Sequence, residues 1–269
     1  MPKNEHLDNL MVSRGLAQSR DQAQRLVMAG QVRVDGQVAL IASTPVAAQA
    51  TITVDLGPPF VSRGGEKLEA AFRVFDLRVA ERVCADVGAS TGGFTDCLLQ
   101  HGAAKVFAID VGQGILAWKL RQDPRVVVME GINARSLDRL PEPVSLVTID
   151  ASFISLKSLL PVVRGWLDPD ARSEVISLVK PQFEAGQLET SRGRGVIRDP
   201  EVHRQVLLEV LNFAQEDGFS IQGVIRSPLR GPKGNTEFLA WLMYPASGGV
   251  DWRSQVRQAM DDEPATQQD

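Results

Sequence analysis

Apolar spacing along the chain predicts two kinds of local structure, one on either side of residue 60. Before it, the elements are short. Residues 6–15 read as a helix. Ser19-Arg20-Asp21-Gln22 has the form of a capping box opening a second helix to Gly30, with Ala23, Leu26 and Val27 at helical spacing. Val32-Arg33-Val34 and Val38-Ala39-Leu40 alternate around Asp35-Gly36, a two-residue hairpin signal, and 51–54 is a further strand. After Gly57-Pro58-Pro59 and a helix reaching about Phe75, short apolar runs alternate with helical patterns. Strands are expected at 82–87, 106–109, 126–129, 144–149, 175–179, 221–225 and 237–243. Helices are expected at 91–100, 115–121, 158–166 and 200–215. Seven strands with interleaved helices predict an α/β fold, a doubly wound Rossmann-like sheet. The expected organisation is a small α+β domain over 1–56, a linker over 57–62, the sheet domain over 63–247 and a C-terminal helix and disordered tail over 248–269.

The strand at 82–87 runs straight into Asp86-Val87-Gly88-Ala89-Ser90-Thr91-Gly92-Gly93-Phe94-Thr95 and a helix. Strand, glycine turn and helix form a ligand cradle at the C-terminal edge of a parallel sheet, because glycine lets backbone approach the ligand. Asp110, ending the next strand, can accept hydrogen bonds from ribose hydroxyls. Ser90 replaces the middle glycine of a dinucleotide fingerprint, which points to a nucleoside without a pyrophosphate. The plainer alternative is an ordinary strand–loop–helix corner.

Composition narrows the partners. The 269 residues carry a net charge of −4, so nucleic acid would need a local basic patch. No apolar run approaches the roughly 18 residues of a membrane span, and the polar start of the chain lacks a signal-peptide core, so a cytoplasmic protein is expected. Cys84 and Cys97 fall inside a strand and a helix, which predicts buried thiols and no metal site. The patch is sought in Arg14, Arg20, Arg25 and Arg33. Helix, helix and hairpin carrying these arginines resemble the S4 RNA-binding module, which implies contact with structured RNA. A merely solvated basic face is the alternative, and Asp8, Asp21 and Asp35 mute the charge. Arg63 and the arginine-rich loop 191–198 are further RNA candidates.

Asp150 and Lys180 each end an apolar strand, at the edge where such sheets bind ligands. Taken with Ser62-Arg63-Gly64-Gly65-Glu66-Lys67-Leu68, the glycine loop, Ile149-Asp150-Ala151-Ser152-Phe153, Val179-Lys180-Pro181-Gln182-Phe183-Glu184 and Gly234-Asn235-Thr236-Glu237-Phe238, nearly the whole chain resembles the TlyA family. That family joins an S4 domain to an FtsJ-like methyltransferase domain. The resemblance implies S-adenosylmethionine as cofactor, ribose 2′-O-methylation of ribosomal RNA, and a ribosomal subunit as partner. Its Lys-Asp-Lys-Glu tetrad falls on Lys67, Asp150, Lys180 and Glu237. Lys180 is the expected base, with Lys67 and Asp150 orienting it and Glu237 helping to hold the target nucleotide. The cofactor is expected on Asp86, Gly88, Ser90, Thr91, Gly92, Gly93 and Phe94, with Asp110 on its ribose, Asn133 near its adenine and Asp150 alongside.

Other methyl-transfer chemistries fit less well. No nucleophilic cysteine stands beside Asp150 for attack on a base carbon, and the Asn/Asp-Pro-Pro-aromatic turn of amine methyltransferases is absent. Two further classes stay open: a haemolysin-like membrane-acting protein, because the family often carries that label, and a non-catalytic RNA binder with a residual cofactor pocket.

Overall fold

The computed structural model describes residues 4–55, 57–168, 170–186 and 195–261. Half of the loop 191–198, including Arg192 and Arg194, and the tail after Asp261 lie outside the described residues. The chain divides into two compact units, Met1–Pro59 and Phe60–Asp269, and the division falls inside the stretch 57–62.

The smaller unit begins with β1 (Asn4–His6) and α1 (Leu7–Ser13), followed by α2 (Arg20–Met28), β2 (Val32–Val34), β3 (Gln37–Val38), β4 (Pro45–Ala47) and β5 (Ile52–Val54). Ser19 caps α2 by accepting from the Gln22 backbone N–H, but the return arm of the capping box shifts by one residue, since Gln22 Oε1 accepts from Gln18 N. β3 pairs with β2 and stops at Val38 rather than Leu40, which is exposed. β1 and β4 pair with each other, and their brevity left no alternating pattern to read. Leu7, Leu10, Met11, Ala23, Val27 and Val32 form this unit's own core.

Among the described residues, the larger unit is built on a seven-stranded sheet. After α3 (Gly64–Val74) come β6 (Val83–Val87), α4 (Gly93–Gln100), β7 (Lys105–Asp110), α5 (Trp118–Arg121), β8 (Val126–Glu130), β9 (Leu146–Ile149), α6 (Leu156–Arg164), β10 (Ser173–Val179), α7 (Pro181–Glu184), α8 (Pro200–Glu216), β11 (Ser220–Arg226), β12 (Phe238–Tyr244) and α9 (Trp252–Asp261). The spatial order is β11-β12-β10-β9-β6-β7-β8. The strands from β10 to β8 are mutually parallel, whereas β12 runs antiparallel to both its neighbours. The sheet is therefore mixed, and the start of β12, not its end, lies beside the C-terminal end of β10, with Phe238 opposite Val179.

Apolar residues cover both faces of this sheet. Leu159, Leu160, Val163, Val206, Leu207, Val210 and Val256, from α6, α8 and α9, pack in one cluster. Leu68, Ala71, Cys97, Leu98 and Leu120, from α3, α4 and α5, pack in the other. Local chemistry moves several helix ends from their expected places. α4 starts at Gly93 because Gly92 is left-handed, with φ 98°, and a Cβ there would collide with Leu116 and Leu120. α5 starts only at Trp118 because the backbone N–H groups of Gly114, Ile115 and Leu116 donate to the Glu130 carboxylate instead of opening a helix. α6 starts early because Ser155 caps it.

Candidate active site

The ends of β6, β7 and β9 open onto a cleft at the point where the strand order reverses, the ligand position of such sheets. The glycine loop is pinned across it. Gly88 N and Ala89 N donate to Ile109 O, and Ser90 N donates to Asp110 Oδ2 at 2.8 Å. A Cβ on Gly88 would lie 2.7 Å from Asp150 O, so the loop can touch the end of β9 only with glycine there. Ser90 itself adopts φ 50°.

Three cavities, of about 650, 420 and 960 Å³, meet around Gly88, Ser90 and Asp150. The first is lined by Asp110 and Asn133, with Ile115 and Ile132 offering apolar surface. Asp110 Oδ1 takes Gly112 N at 2.7 Å, so each carboxylate oxygen holds one loop amide and keeps a lone pair for a ligand hydroxyl. Asn133 Oδ1 caps the turn at Arg135, which leaves its amide N–H₂ to donate. These donors, acceptors and apolar walls fit a nucleoside. Thr91, Gly93 and Phe94 line the second cavity, together with Arg63 and Lys67.

Two expected cofactor residues stand back from all three cavities. Gly92 serves packing against Leu116 and Leu120. Asp86 is fully buried behind the loop, its oxygens taken by Thr95 Oγ1 at 2.7 Å and Thr148 Oγ1 at 3.1 Å. Burial pushes its carboxyl up to about 7 against those two hydrogen bonds, and the charge of Asp150 adds to the rise.

The four tetrad residues line the third cavity. They form two ion pairs: Lys67 Nζ to Glu237 Oε2 at 2.6 Å, and Lys180 Nζ to Asp150 Oδ1 at 2.5 Å. Lys67, Lys180 and Glu237 are buried. Lys180 Nζ also donates to Ser152 Oγ at 3.2 Å, and Gln182 Nε2 to Glu237 Oε1 at 3.3 Å. A lysine held by oriented oxygens beside a nucleoside cavity can manage a proton at a positioned hydroxyl.

Sequence reasoning gave Phe153 no role. The residue is 91 % exposed, its φ is 64°, and its ring centroid lies 5.0 Å from that of Phe183, over which Lys180 Nζ sits at 5.9 Å. A large apolar side chain in a left-handed conformation at a cavity mouth is a signal of function, but φ is invisible in sequence. Glu69, Cys97 and His101 also converge, with ligand-capable atoms within 4.8 Å of one another, although none lines the cleft. Spacing did not reveal this group because Glu69 comes from α3; burial pushes the Cys97 thiol up.

The arginines of the smaller unit divide in two. Arg14 donates to the carbonyls of Ala48 and Ala50, and Arg20 pairs with buried Asp8 at 2.9 Å, so both guanidinium groups hold the unit together. Arg25 and Arg33 are exposed, and among the described residues Arg33 makes only a long contact to Gly36 O.

Comparison with known proteins gives a consistent picture. Residues 60–244 match the FtsJ-like methyltransferase family and residues 6–52 the S4 domain. The chain is 48 % identical over 246 residues to the 16S/23S rRNA (cytidine-2′-O)-methyltransferase TlyA of Mycobacterium tuberculosis, covering 90 % of this chain and 91 % of that one. It is 40 % identical to Hemolysin A of Brachyspira hyodysenteriae, covering 87 % and 98 %. A solved structure described as a hemolysin, from Streptococcus thermophilus, superposes with a TM-score of 0.71 at 40 % identity, covering 97 % of this chain and 95 % of that one.

Proposed function

We propose, since this chain belongs to the TlyA family of S4-domain, FtsJ-like methyltransferases, that it carries a methyl group from S-adenosylmethionine to a ribose 2′-oxygen in ribosomal RNA. The observation that carries this reading is the meeting of both tetrad ion pairs with a nucleoside-shaped cavity at one sheet edge. Asp110 and Asn133 would hold the cofactor's ribose and adenine, and Gly88 and Ser90 its methionine end. When bound, S-adenosylmethionine supplies an electrophilic methyl group.

The chain's own residues do the rest. Asp150 and Ser152 aim Lys180 Nζ, which, once its own ion-pair proton has passed to solvent through the open cleft, would as the neutral amine take the proton of the 2′-hydroxyl as that oxygen is methylated. Lys67 and Glu237, paired with each other, line the same cavity. Phe153 and Phe183 offer the aromatic faces on which an unstacked base is held. Arg25 and Arg33 would bring phosphate contacts from the S4 unit. Such an enzyme works in the cytoplasm on ribosomal RNA or a ribosomal subunit. The membrane-acting reading draws no support from the helices: among the described residues none is long and apolar enough to cross a membrane.

Mass-spectrometric mapping of ribosomal RNA treated with the protein and S-adenosylmethionine tests the reading. One new ribose methyl at a defined nucleotide is expected, and it should be missing with Lys180→Ala. Methylation confined to bases, or none with the wild-type chain, would overturn it.

A further inference from the structure

The loop between β11 and β12 stands over the tetrad and carries two cations with no role so far. Arg230 lines the second cavity and Lys233 the third. Both are exposed, and neither has a carboxylate within ion-pair reach among the described residues. An unpaired cation beside a cleft keeps its full charge for a ligand.

The loop that presents them is built to stay put. Ser227 N donates to Glu237 O, Gly231 N to Asn235 O and Gly234 N to Gly231 O, closing a tight backbone ring. Asn235 is buried, donating to Gly195 O at 2.9 Å and accepting from Ile197 N at 3.0 Å. Gly231 packs so closely on the site that a Cβ there would lie 2.5 Å from Glu237 Oε1. The backbone that presents the two cations is therefore fixed relative to Glu237, and through it to Lys67.

We infer that Arg230 and Lys233 form a clamp for the phosphodiesters flanking the reacting ribose, so that the site takes a nucleotide within a strand and not a free nucleoside. This rests on the RNA reading above. The ligand is a phosphate because the reacting ribose brings one on either side, and because the tetrad anions already have cations of their own. The rival occupant is the carboxylate of the cofactor, since Arg230 shares its cavity with Thr91 and Gly93.

The test compares the full-length chain with Arg230→Gln/Lys233→Gln. Binding to purified ribosomal RNA is followed across a potassium chloride series, and S-adenosylmethionine affinity is measured beside it. Each lost phosphate contact should lower the log–log salt slope by about 0.7, so the double variant should lose about 1.4 and bind RNA about tenfold more weakly at low salt. Arg230→Lys should restore part of the slope relative to Arg230→Gln. If the double variant melts early, Lys233→Gln alone, an exposed change, should still show half the loss. An unchanged slope overturns the clamp, and so does a loss confined to cofactor affinity. A wild-type chain that binds RNA but leaves its riboses unmethylated overturns the functional reading and leaves the slope measurement intact.

Discussion

Lys67 Nζ lies 2.6 Å from Glu237 Oε2, joining residues 170 positions apart in an ion pair almost sealed from water. Breaking one side of such a pair strands a buried charge, at a cost of about 3–5 kcal/mol, whereas replacing both by apolar groups of similar volume is often neutral. Lys67→Met alone should therefore lower stability sharply, and Lys67→Met/Glu237→Leu should recover most of it. Neither should methylate RNA. Chemical denaturation and a methyl-transfer assay separate the two effects. A double variant as unstable as the single one would show that the pair does not act as a unit.

Asp110 holds the Ser90 and Gly112 amides on separate oxygens. Its loss removes both loop anchors and the acceptors for a ligand ribose. A hydrogen bond to a charged group contributes about 1.5–3 kcal/mol, so Asp110→Ala should weaken S-adenosylmethionine binding at least about tenfold by calorimetry. Unchanged affinity would remove Asp110 from the site.

Asp86 makes a pH prediction. Its carboxyl titrates near 7 in the folded chain, chiefly through burial, and near about 4 when unfolded. Between those values the folded state binds the extra proton, so the group's contribution to stability falls as pH rises from about 4 to about 7, and stays low above that. Asparagine can accept from one threonine and donate to the other without charge. Asp86→Asn should match the wild type in acid and exceed it in melting temperature above pH 7. Parallel melting curves across this range would show that Asp86 stays ionised.

In the smaller unit the split among arginines is testable. Arg20→Ala leaves buried Asp8 with only Gln24 and the Asn9 amide, so its effect should appear in melting. Arg25→Gln and Arg33→Gln should leave melting alone and each lower the salt slope of RNA binding by up to about 0.9. The reverse pattern would assign RNA contact to Arg20.

The sheet was legible because its central strands are largely apolar runs, and two of the tetrad residues, Asp150 and Lys180, drew notice because each directly follows such a run, where a charge has few reasons to stand; Lys67, on a helix, and Glu237, before β12, were reached only through the family resemblance. Asp86 misled because sequence shows that a carboxylate adjoins the loop but not which way it turns; Thr95 and Thr148, from different elements, claim it. Phe153 was passed over because its backbone angle, not its residue type, marks it. Arg14 and Arg20 looked like Arg25 because their partners lie on other elements. The antiparallel placement of β12 had no signature either, since a buried strand reads the same in both directions.

That reversal has a consequence in time. A ribosome making this chain releases Lys67, Asp150 and Lys180 well before Glu237, and β11 emerges before β12, the strand it pairs with. Until residue 237 is made, Lys67 has no buried anion and the outer side of β10 has no neighbour. Closure of the sheet and neutralisation of that lysine are then one event. A product interrupted between β11 and β12 therefore carries the glycine loop with its tetrad incomplete.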